Sequence, residues 1–210
     1  MLTQFFSIGL LMLLSAMLPG PDFALVTKNT ILHSRRAGLF TSLGVGSAIL
    51  IHITYCALGL AIVISQSILL FNIIKYIGAI YLIYLGITSL LAKHADHNAA
   101  VSNQKRLQKT KMSDLTAFRQ GFLCNLLNPK ATLFFLALFT MIIKPGTPLL
   151  WELLYAVEMF IIITAWFCSL TILLSHPRVV RLLNRIEKYI SKALGVFLIG
   201  FGVALVFVKK

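Results

Sequence analysis

The sequence predicts an all-α membrane protein with six transmembrane helices. Of its residues, 59% are hydrophobic and 12% charged, and the charges fall into short clusters. No Asp, Glu, Lys or Arg occurs between Arg36 and Lys75. This composition is typical of membrane proteins. At a rise of about 1.5 Å per residue, the uncharged stretch is long enough for most of two bilayer crossings.

Six apolar segments follow one another along the chain. Their predicted bounds are 2–31, 38–65, 67–91, 115–143, 149–175 and 190–208. We expect helices, because a helix satisfies its own backbone hydrogen bonds inside lipid. The stretch 176–190 carries apolar residues on one helical face and cations on the other, which predicts that it lies along the inner membrane surface. Several glycines are expected to let helices approach closely: Gly44, Gly46, Gly78, Gly86, Gly195, Gly200 and Gly202.

The basic residues predict the orientation of these helices. The net charge is +13, which raises the alternative of nucleic-acid binding. However, fourteen of the nineteen basic residues fall in the connections on one side of the predicted helices. By the positive-inside rule that side faces the cytoplasm, and both termini face the periplasm. The charge therefore indicates topology, and we expect no nucleic-acid partner.

The polar stretch 92–114 divides the chain into two halves. We expect a single transmembrane domain over residues 1–210, with one repeat at about 1–91, a cytoplasmic linker at 92–114 and a second repeat at 115–210. Three crossings per repeat is an odd number, so the second repeat enters the membrane from the opposite face. The predicted fold is thus two inverted three-helix repeats, an architecture typical of secondary transporters.

The first and fourth apolar segments are longer than one crossing needs, and each contains a proline break. The breaks are Gly20-Pro21-Asp22 and Asn128-Pro129-Lys130. Each has an N-cap type residue before the proline and a charge after it. Since a proline inside a helix costs about 3 kcal/mol, we expect both breaks to line a cavity. New helices are predicted to begin at Phe23 and Ala131, with positive dipole ends suited to a carboxylate.

The charged residues beside the breaks are the candidate site. A low-dielectric surrounding disfavours the charged form of Asp22, so this carboxyl can carry a proton in one state and release it in another. Alternatively, Asp22 only starts a helix or pairs with Lys130. Lys130 in turn contacts either a substrate carboxylate or Asp22. Carbonyls near Leu18 and Leu127 can accept from an ammonium group, so the site fits a zwitterionic amino acid.

Three further polar residues lie inside apolar segments. Asn125 precedes Asn128 by one turn and is expected to add a polar contact on the same face. His52 is either a titrating relay or an interhelical hydrogen-bonding residue. Glu158 is either a second proton site or faces water near the outer half of the membrane.

Five motifs occur in order over nearly the whole chain. They are Pro-Gly-Pro-Asp at 19–22, Arg-Arg-Ala-Gly-Leu at 35–39, Leu-Gly at 43–44 leading to His52, Gly-Ala-Ile-Tyr-Leu-Ile-Tyr-Leu-Gly at 78–86 and Gly-Phe-Leu-Cys-Asn-Leu-Leu-Asn-Pro-Lys-Ala at 121–131. Together they resemble the LysE/RhtB family of bacterial amino-acid exporters. The resemblance implies a transporter, not an enzyme, that moves amino acids or their derivatives out across the inner membrane. It also implies proton exchange, and a homodimer as one form of assembly within the lipid.

Two alternatives come from other functional classes. A metal-ion or other small-solute exporter of the same fold would carry clustered Asp, Glu or His inside the membrane. A membrane thiol-redox protein would need a cysteine on both equivalent helices, whereas only the fourth segment has one, Cys124. His94, Asp96 and His97 in the linker lack further ligands, so we expect no metal site and no cofactor.

Overall fold

The computed structural model describes residues 2–91, 111–142 and 148–207. These ranges form helices without strands, as the sequence predicts. In chain order the helices are α1 (Leu2–Met17), α2 (Pro21–Leu32), α3 (Arg35–Gln66), α4 (Ile68–Leu91), α5 (Asp114–Leu126), α6 (Pro129–Ile142), α7 (Leu149–Leu174) and α8 (Pro177–Phe207). Most of the predicted linker, with His94, Asp96 and His97, lies outside the described residues.

The helices account for every predicted apolar segment. Four of the described helices, α3, α4, α7 and α8, each contain a stretch that is long and apolar enough to cross a membrane. The pairs α1–α2 and α5–α6 meet the same criterion when each is taken as one bent span. They bend by 60° and 55° at the predicted proline breaks. Six crossings result if each bent pair counts as one.

The helices after the breaks begin two residues earlier than predicted, at Pro21 and Pro129. Proline suits the first helical position because its fixed φ is helical and its missing N–H needs no partner there. Gly20 caps α2 in an extended conformation. Asn128 caps α6 with its side chain, since its Oδ1 accepts from the Lys130 backbone N–H at 2.9 Å.

Residues 177–190 of the predicted amphipathic stretch are helical, and their position along the inner membrane surface stays a prediction. These residues belong to α8, which runs without interruption from Pro177 to Phe207. No proline or glycine occurs between Arg178 and Leu194, so nothing in the local sequence ends the helix before the apolar part begins.

Two helix pairs approach so closely that their backbones touch. In the α3–α5 crossing, a Cβ atom added to Gly44 would lie 2.1 Å from the Phe118 carbonyl oxygen. One added to Gly121 would lie 2.1 Å from the Thr41 carbonyl oxygen. In the α4–α8 crossing, a Cβ atom at Gly86 would lie 2.6 Å from the Gly195 carbonyl oxygen. Only glycine fits such positions.

The predicted packing role of one glycine is wrong. Gly200 has open space where a Cβ atom would stand, with nothing within 4 Å. It faces away from the crossing that its neighbour Gly202 forms, where an added Cβ atom would lie 2.8 Å from the Ala79 carbonyl oxygen. Because a helix turns by about 100° per residue, two glycines two positions apart point to different sides.

Candidate functional site

The two helix breaks meet around one cavity inside the bundle. Seven of the predicted residues line it: Gly20, Asp22, Phe23, Asn125, Asn128, Lys130 and Ala131. The cavity has a volume of about 40 Å³. Since a water molecule needs about 10–15 Å³ of such volume, this is room for about three waters. A bound amino acid would therefore require the surrounding helices to move apart.

The Asp22 carboxylate is held by the other break. Its Oδ2 accepts hydrogen bonds from the side-chain amides of Asn125 and Asn128, both at 3.0 Å. Its Oδ1 is buried and has no hydrogen-bond partner. A buried carboxylate oxygen without a donor is costly. This oxygen is therefore placed to take a proton or to accept from an ammonium group.

The Lys130 ammonium contacts the end of the helix before the first break. Its Nζ donates to the Leu18 carbonyl at 2.8 Å, with the Ser15 carbonyl at 3.5 Å. The Leu18 carbonyl thus accepts from an ammonium group of the protein itself, and a contact with a substrate ammonium group stays a prediction. Asp22 and Lys130 do not form an ion pair, although both line the cavity. The alternative in which they pair directly is therefore wrong for this conformation.

The contacts of the two charges are reciprocal. Each charged residue follows its own proline and reaches the helix end that precedes the other break. A proline break leaves such helix ends with free carbonyls and polar caps. Asp22 meets the donors Asn125 and Asn128, while Lys130 meets carbonyl acceptors of α1. Two oppositely charged side chains therefore lie beside one cavity without forming an ion pair with each other.

His52 supports the second break from outside the cavity. Pro129 has no N–H, so the Asn125 carbonyl four residues earlier lacks an α-helical partner and accepts instead from the Asn128 backbone N–H at 3.0 Å. His52 Nε2 lies 3.1 Å from that oxygen. Because a carbonyl only accepts, Nε2 carries a proton, and in the neutral ring Nδ1 accepts from the Tyr55 hydroxyl. The interhelical hydrogen bond expected of His52 is confirmed.

The His52 ring is also fixed by stacking. It lies parallel to the Phe135 ring, with 5.3 Å between centroids and 5° between planes. Phe135 itself lines the cavity. His52 is fully buried and joins α3, α5 and α6 at the break. Whether it also relays protons stays a prediction.

The family is decided by comparison with known proteins. The family model described as LysE type translocator matches residues 13–208. The chain belongs to this family. Among its relatives, the membrane protein YrhP of Bacillus subtilis is 31% identical over 89% of this chain and 90% of its own. The threonine efflux proteins of Escherichia coli K12 and Salmonella typhi are 29% and 28% identical, each over 98% of both chains. No solved structure matches.

This LysE type translocator is thus a multi-pass membrane protein and a transporter. Its family resemblance, stated above from the motifs, is confirmed. The motifs at both proline breaks lie within the matched residues and line the cavity. The matched range also spans both halves of the chain, so the site draws on residues from each half of one family unit.

Sequence reasoning missed the apolar wall of the translocator site. The cavity is closed by side chains of α1, α3, α6 and α7, including Met12, Ile49, Phe134, Phe135, Ile163 and Phe167. Phe134 lies one turn after Lys130, and that spacing could have identified it. Ile163 and Phe167 belong to the apolar part of α7 after Glu158, where no sequence signal separates cavity residues from lipid-facing ones.

The remaining predicted residues do not line the translocator cavity. Pro21 and Pro129 act through the backbone, because they open the helices whose ends the charges contact. Glu158 lies elsewhere, at the seam between α7 and α1, where a Cβ atom added to Gly9 would lie 2.5 Å from its Oε1. Its Oε2 is buried without a hydrogen-bond partner. Neither reading of Glu158 is tested by this placement.

The cysteines and other metal-ligand side chains are dispersed in the described part of the translocator. Cys56 is buried, Cys124 and Cys168 are half-buried, and all three are free thiols. Over residues 2–91, 111–142 and 148–207, no three His, Cys, Asp or Glu side chains come together as metal ligands would.

Proposed function

We propose that this translocator exports amino acids or their derivatives from the cytoplasm across the bacterial inner membrane. The observation that carries the proposal is that two charged groups line one cavity. They are the Asp22 carboxylate, one oxygen of which has no hydrogen-bond partner, and the Lys130 ammonium. Charged groups inside a membrane are expensive and are retained where they bind something. A zwitterion offers an ammonium group to Asp22 and a carboxylate to Lys130.

The proposed site consists of the residues at the two breaks and of the residues that hold them in place. Asp22 and Lys130 contact the substrate, Asn125 and Asn128 hold Asp22, and His52 holds the helix end that carries Asn125. Gly20, Pro21, Phe23, Pro129 and Ala131 shape the broken helices. The N-terminal ends of α2 and α6 add positive dipole ends that favour a carboxylate.

The mechanism of the proposal is proton-coupled alternating access. The cavity has a volume of about 40 Å³ and is too small for an amino acid, so this conformation corresponds to a closed stage of the cycle. Asp22 takes up a proton when the substrate ammonium leaves and releases it when the next substrate arrives. One proton would therefore move inward for each amino acid that moves outward.

The proposed architecture is an inverted repeat with both termini in the periplasm. The reciprocal contacts of Asp22 and Lys130 support it, because a two-fold relation between halves would produce such an exchange. The basic residues beside α2, α3 and α5, such as Lys28, Arg35 and Arg119, support a cytoplasmic position for that end of the bundle. Residues 1–210 act as one transport domain in this proposal, alone or as a homodimer.

Threonine is the first substrate to test, since relatives that cover the whole chain are named threonine efflux proteins. Purified protein in liposomes, loaded with radiolabelled L-threonine under an imposed pH gradient, should release it faster than protein-free liposomes. A panel of the other proteinogenic amino acids defines the range. No gradient-dependent flux of any of them, from protein shown to be folded, would contradict the proposal.

A further inference from the structure

A second group of polar side chains is buried between the cavity and the end of the bundle that carries Arg36 and Asp114. We call it the polar layer. It consists of Asn29 and Thr30 of α2, Thr41 and Ser42 of α3, Gln120 of α5 and Thr171 of α7. Asn29, Thr41, Ser42 and Thr171 are each 0% exposed. No member carries a charge.

The polar layer lies on a direct path from the Asp22 site. Asp22, Val26 and Asn29 follow one face of α2 at positions i, i+4 and i+7, which places Asn29 about 10 Å along the helix. In α5, Gln120 stands between Asn125 at the site and Asp114 at the end of the bundle. A substrate that reaches Asp22 along α2 and α5 passes these side chains.

Three hydroxyl groups of the polar layer donate to backbone carbonyls and keep their oxygens as acceptors. Thr30 donates to the Val26 carbonyl at 2.7 Å, Thr41 to the Ala37 carbonyl at 2.8 Å and Ser42 to the Gly38 carbonyl at 2.9 Å. These three hydroxyls therefore give their protons to their own helices, and their oxygens are left as acceptors. The Thr171 hydroxyl lies 3.3 Å from Ser42 Oγ and 3.4 Å from Thr30 Oγ1.

Asn29 adds the acceptor without a partner. Its side-chain amide donates one hydrogen to Thr41 Oγ1 at 2.9 Å and the other to Gln120 Oε1 at 3.0 Å. Both donors are used, so its orientation is fixed. Its Oδ1 is buried and accepts no hydrogen bond. A layer that served packing alone would leave this acceptor unsatisfied at a cost of about 1–3 kcal/mol.

We propose that the polar layer is a second binding position, which receives the ammonium group of an amino acid on its way to Asp22. An ammonium group has three donors and no acceptor, and it fits a layer of neutral oxygen acceptors. Among the described side chains of the layer, the buried polar atom without a hydrogen-bond partner is an acceptor, Asn29 Oδ1, which favours an ammonium group over a carboxylate. The inference rests on the proposed export of amino acids and adds the position that a substrate occupies before the central site.

The layer is closed in this conformation by helix contact. A Cβ atom added to Gly38 of α3 would lie 2.1 Å from Thr30 Oγ1 of α2 and 2.8 Å from the Thr171 methyl carbon of α7. Opening requires α2 to move away from α3 and α7. Hydrogen bonds between neutral side chains are replaced by hydrogen bonds to water at little net cost, so a polar closure opens more readily than an apolar one.

The test uses a cysteine in the layer and two reagents of opposite charge. Ser42→Cys is placed in a background with Cys56, Cys124 and Cys168 changed to alanine. Inverted vesicles expose the cytoplasmic face to 2-aminoethyl or 2-sulfonatoethyl methanethiosulfonate, with each rate divided by that for a free thiol. We expect the cationic reagent to react about tenfold faster, because only it donates to the layer. L-threonine should slow that reaction. Equal rates for the two reagents, or no effect of L-threonine, overturn the inference.

Thr140→Cys is the matched control. Thr140 is 1% exposed and also gives its proton to its own helix, at 2.7 Å from the Ala137 carbonyl, but it lies in α6 outside the layer. We expect it to be unreactive with both reagents from the cytoplasmic face. Reaction at the Ser42→Cys rate would show general leakiness and overturn the assignment of the layer.

Asn29→Leu tests the unpartnered acceptor, because leucine has a similar volume and no polar atom. L-threonine should no longer protect Ser42→Cys in this variant, while protection that remains unchanged contradicts the role of Asn29. If the variant does not fold, the charge preference at Ser42→Cys with native Asn29 still decides. Wild-type protein without flux of any amino acid overturns the proposed function and this inference together. Flux without protection at the layer overturns this inference alone.

Discussion

The Asp22 carboxylate uses only one of its two oxygens for hydrogen bonds in the structure. Both amide donors come from the far side of the cavity, from Asn125 and Asn128 just before Pro129. In the proposed function, the free oxygen and the Lys130 ammonium would be the two charged contacts of a zwitterion. At the residue scale, the chemistry of the site depends on which polar atoms lack a hydrogen-bond partner in this closed conformation.

Asp22→Asn tests the free oxygen. An asparagine can still accept from Asn125 and Asn128, so folding should be retained, but it can neither carry a proton nor pair with an ammonium group. Since a hydrogen bond to a charged group contributes about 1.5–3 kcal/mol, we expect proton-driven L-threonine flux to fall about tenfold or more. Flux is measured in liposomes under a fixed pH gradient. Glu152→Gln, a half-buried carboxyl in the first turn of α7, is the control and should keep wild-type flux. Undiminished flux in Asp22→Asn would remove Asp22 from the proton pathway.

His52→Phe tests the support of the second break. Phenylalanine keeps an aromatic ring against Phe135 but leaves the Asn125 carbonyl without its side-chain donor. The carbonyl keeps its bond from the Asn128 N–H and loses the one from His52. A hydrogen bond contributes about 0.5–1.5 kcal/mol, so the melting temperature in detergent should fall. His52→Gln retains a donor and should recover part of the loss. Equal melting temperatures for the wild type and both variants would mean that water replaces the ring without cost.

The polar residues of the site could be predicted from the sequence, and the links between them only in part. Asp22, Asn128 and Lys130 are identifiable because polar groups beside a proline stand out within an apolar run. The exchange across the two breaks depends on the bend of each pair, which sequence spacing does not define. The contact from His52 to Asn125 joins residues 73 positions apart, and no local pattern indicates it.

At the scale of elements, the broken helices differ from the other spans by having an end inside the bundle. The prolines set where each break falls, and this part of the fold followed from sequence. The extent of α8 did not follow from the sequence, because its amphipathic first part and its apolar second part have the same helical periodicity. What changes near Tyr189 is composition, because the apolar span begins there while the helix continues.

Pro129→Ala tests whether the break itself is needed. Alanine restores a backbone N–H that can bond to the Asn125 carbonyl, in competition with His52. We expect flux to fall strongly while the melting temperature stays equal or rises, because the helix gains a hydrogen bond as it straightens. Flux and melting temperature are measured on the same preparation. A variant that transports normally would show that the caps alone position Asn125 and Asn128.

Gly44→Ala tests the α3–α5 crossing. The new methyl group would overlap the Phe118 carbonyl oxygen, which belongs to a backbone and cannot rotate away. Overpacking of this kind costs about 1–3 kcal/mol or more, so we expect a lower melting temperature and less folded protein in the membrane. Gly200→Ala is the matched control, since nothing lies within 4 Å of the added atom. The same loss in both variants would indicate a helix-propensity effect unrelated to the crossing.

At the scale of the whole molecule, the distribution of basic residues predicts which end of the bundle faces the cytoplasm. Lys111→Cys before α5 and Leu149→Cys at the start of α7 test this, in the background without native cysteines. Both positions are exposed. A membrane-impermeant maleimide added to intact cells with a permeable outer membrane should label Leu149→Cys only, and Lys111→Cys should react only in inverted vesicles. The reverse pattern would invert the proposed topology.

The backbone contacts at the glycine crossings restrict how helices can move relative to one another in this protein. Helices that touch at Gly44 and Gly121, or at Gly86 and Gly195, have no layer of side chains along which to slide. We expect each pair to move as a unit. In the proposed alternating access, the displacement that admits a substrate would then occur at the 60° and 55° corners of the two bent spans. Asp22 and Lys130 lie at these corners. A substrate that draws the two charged side chains together would therefore act directly on the bends that must change.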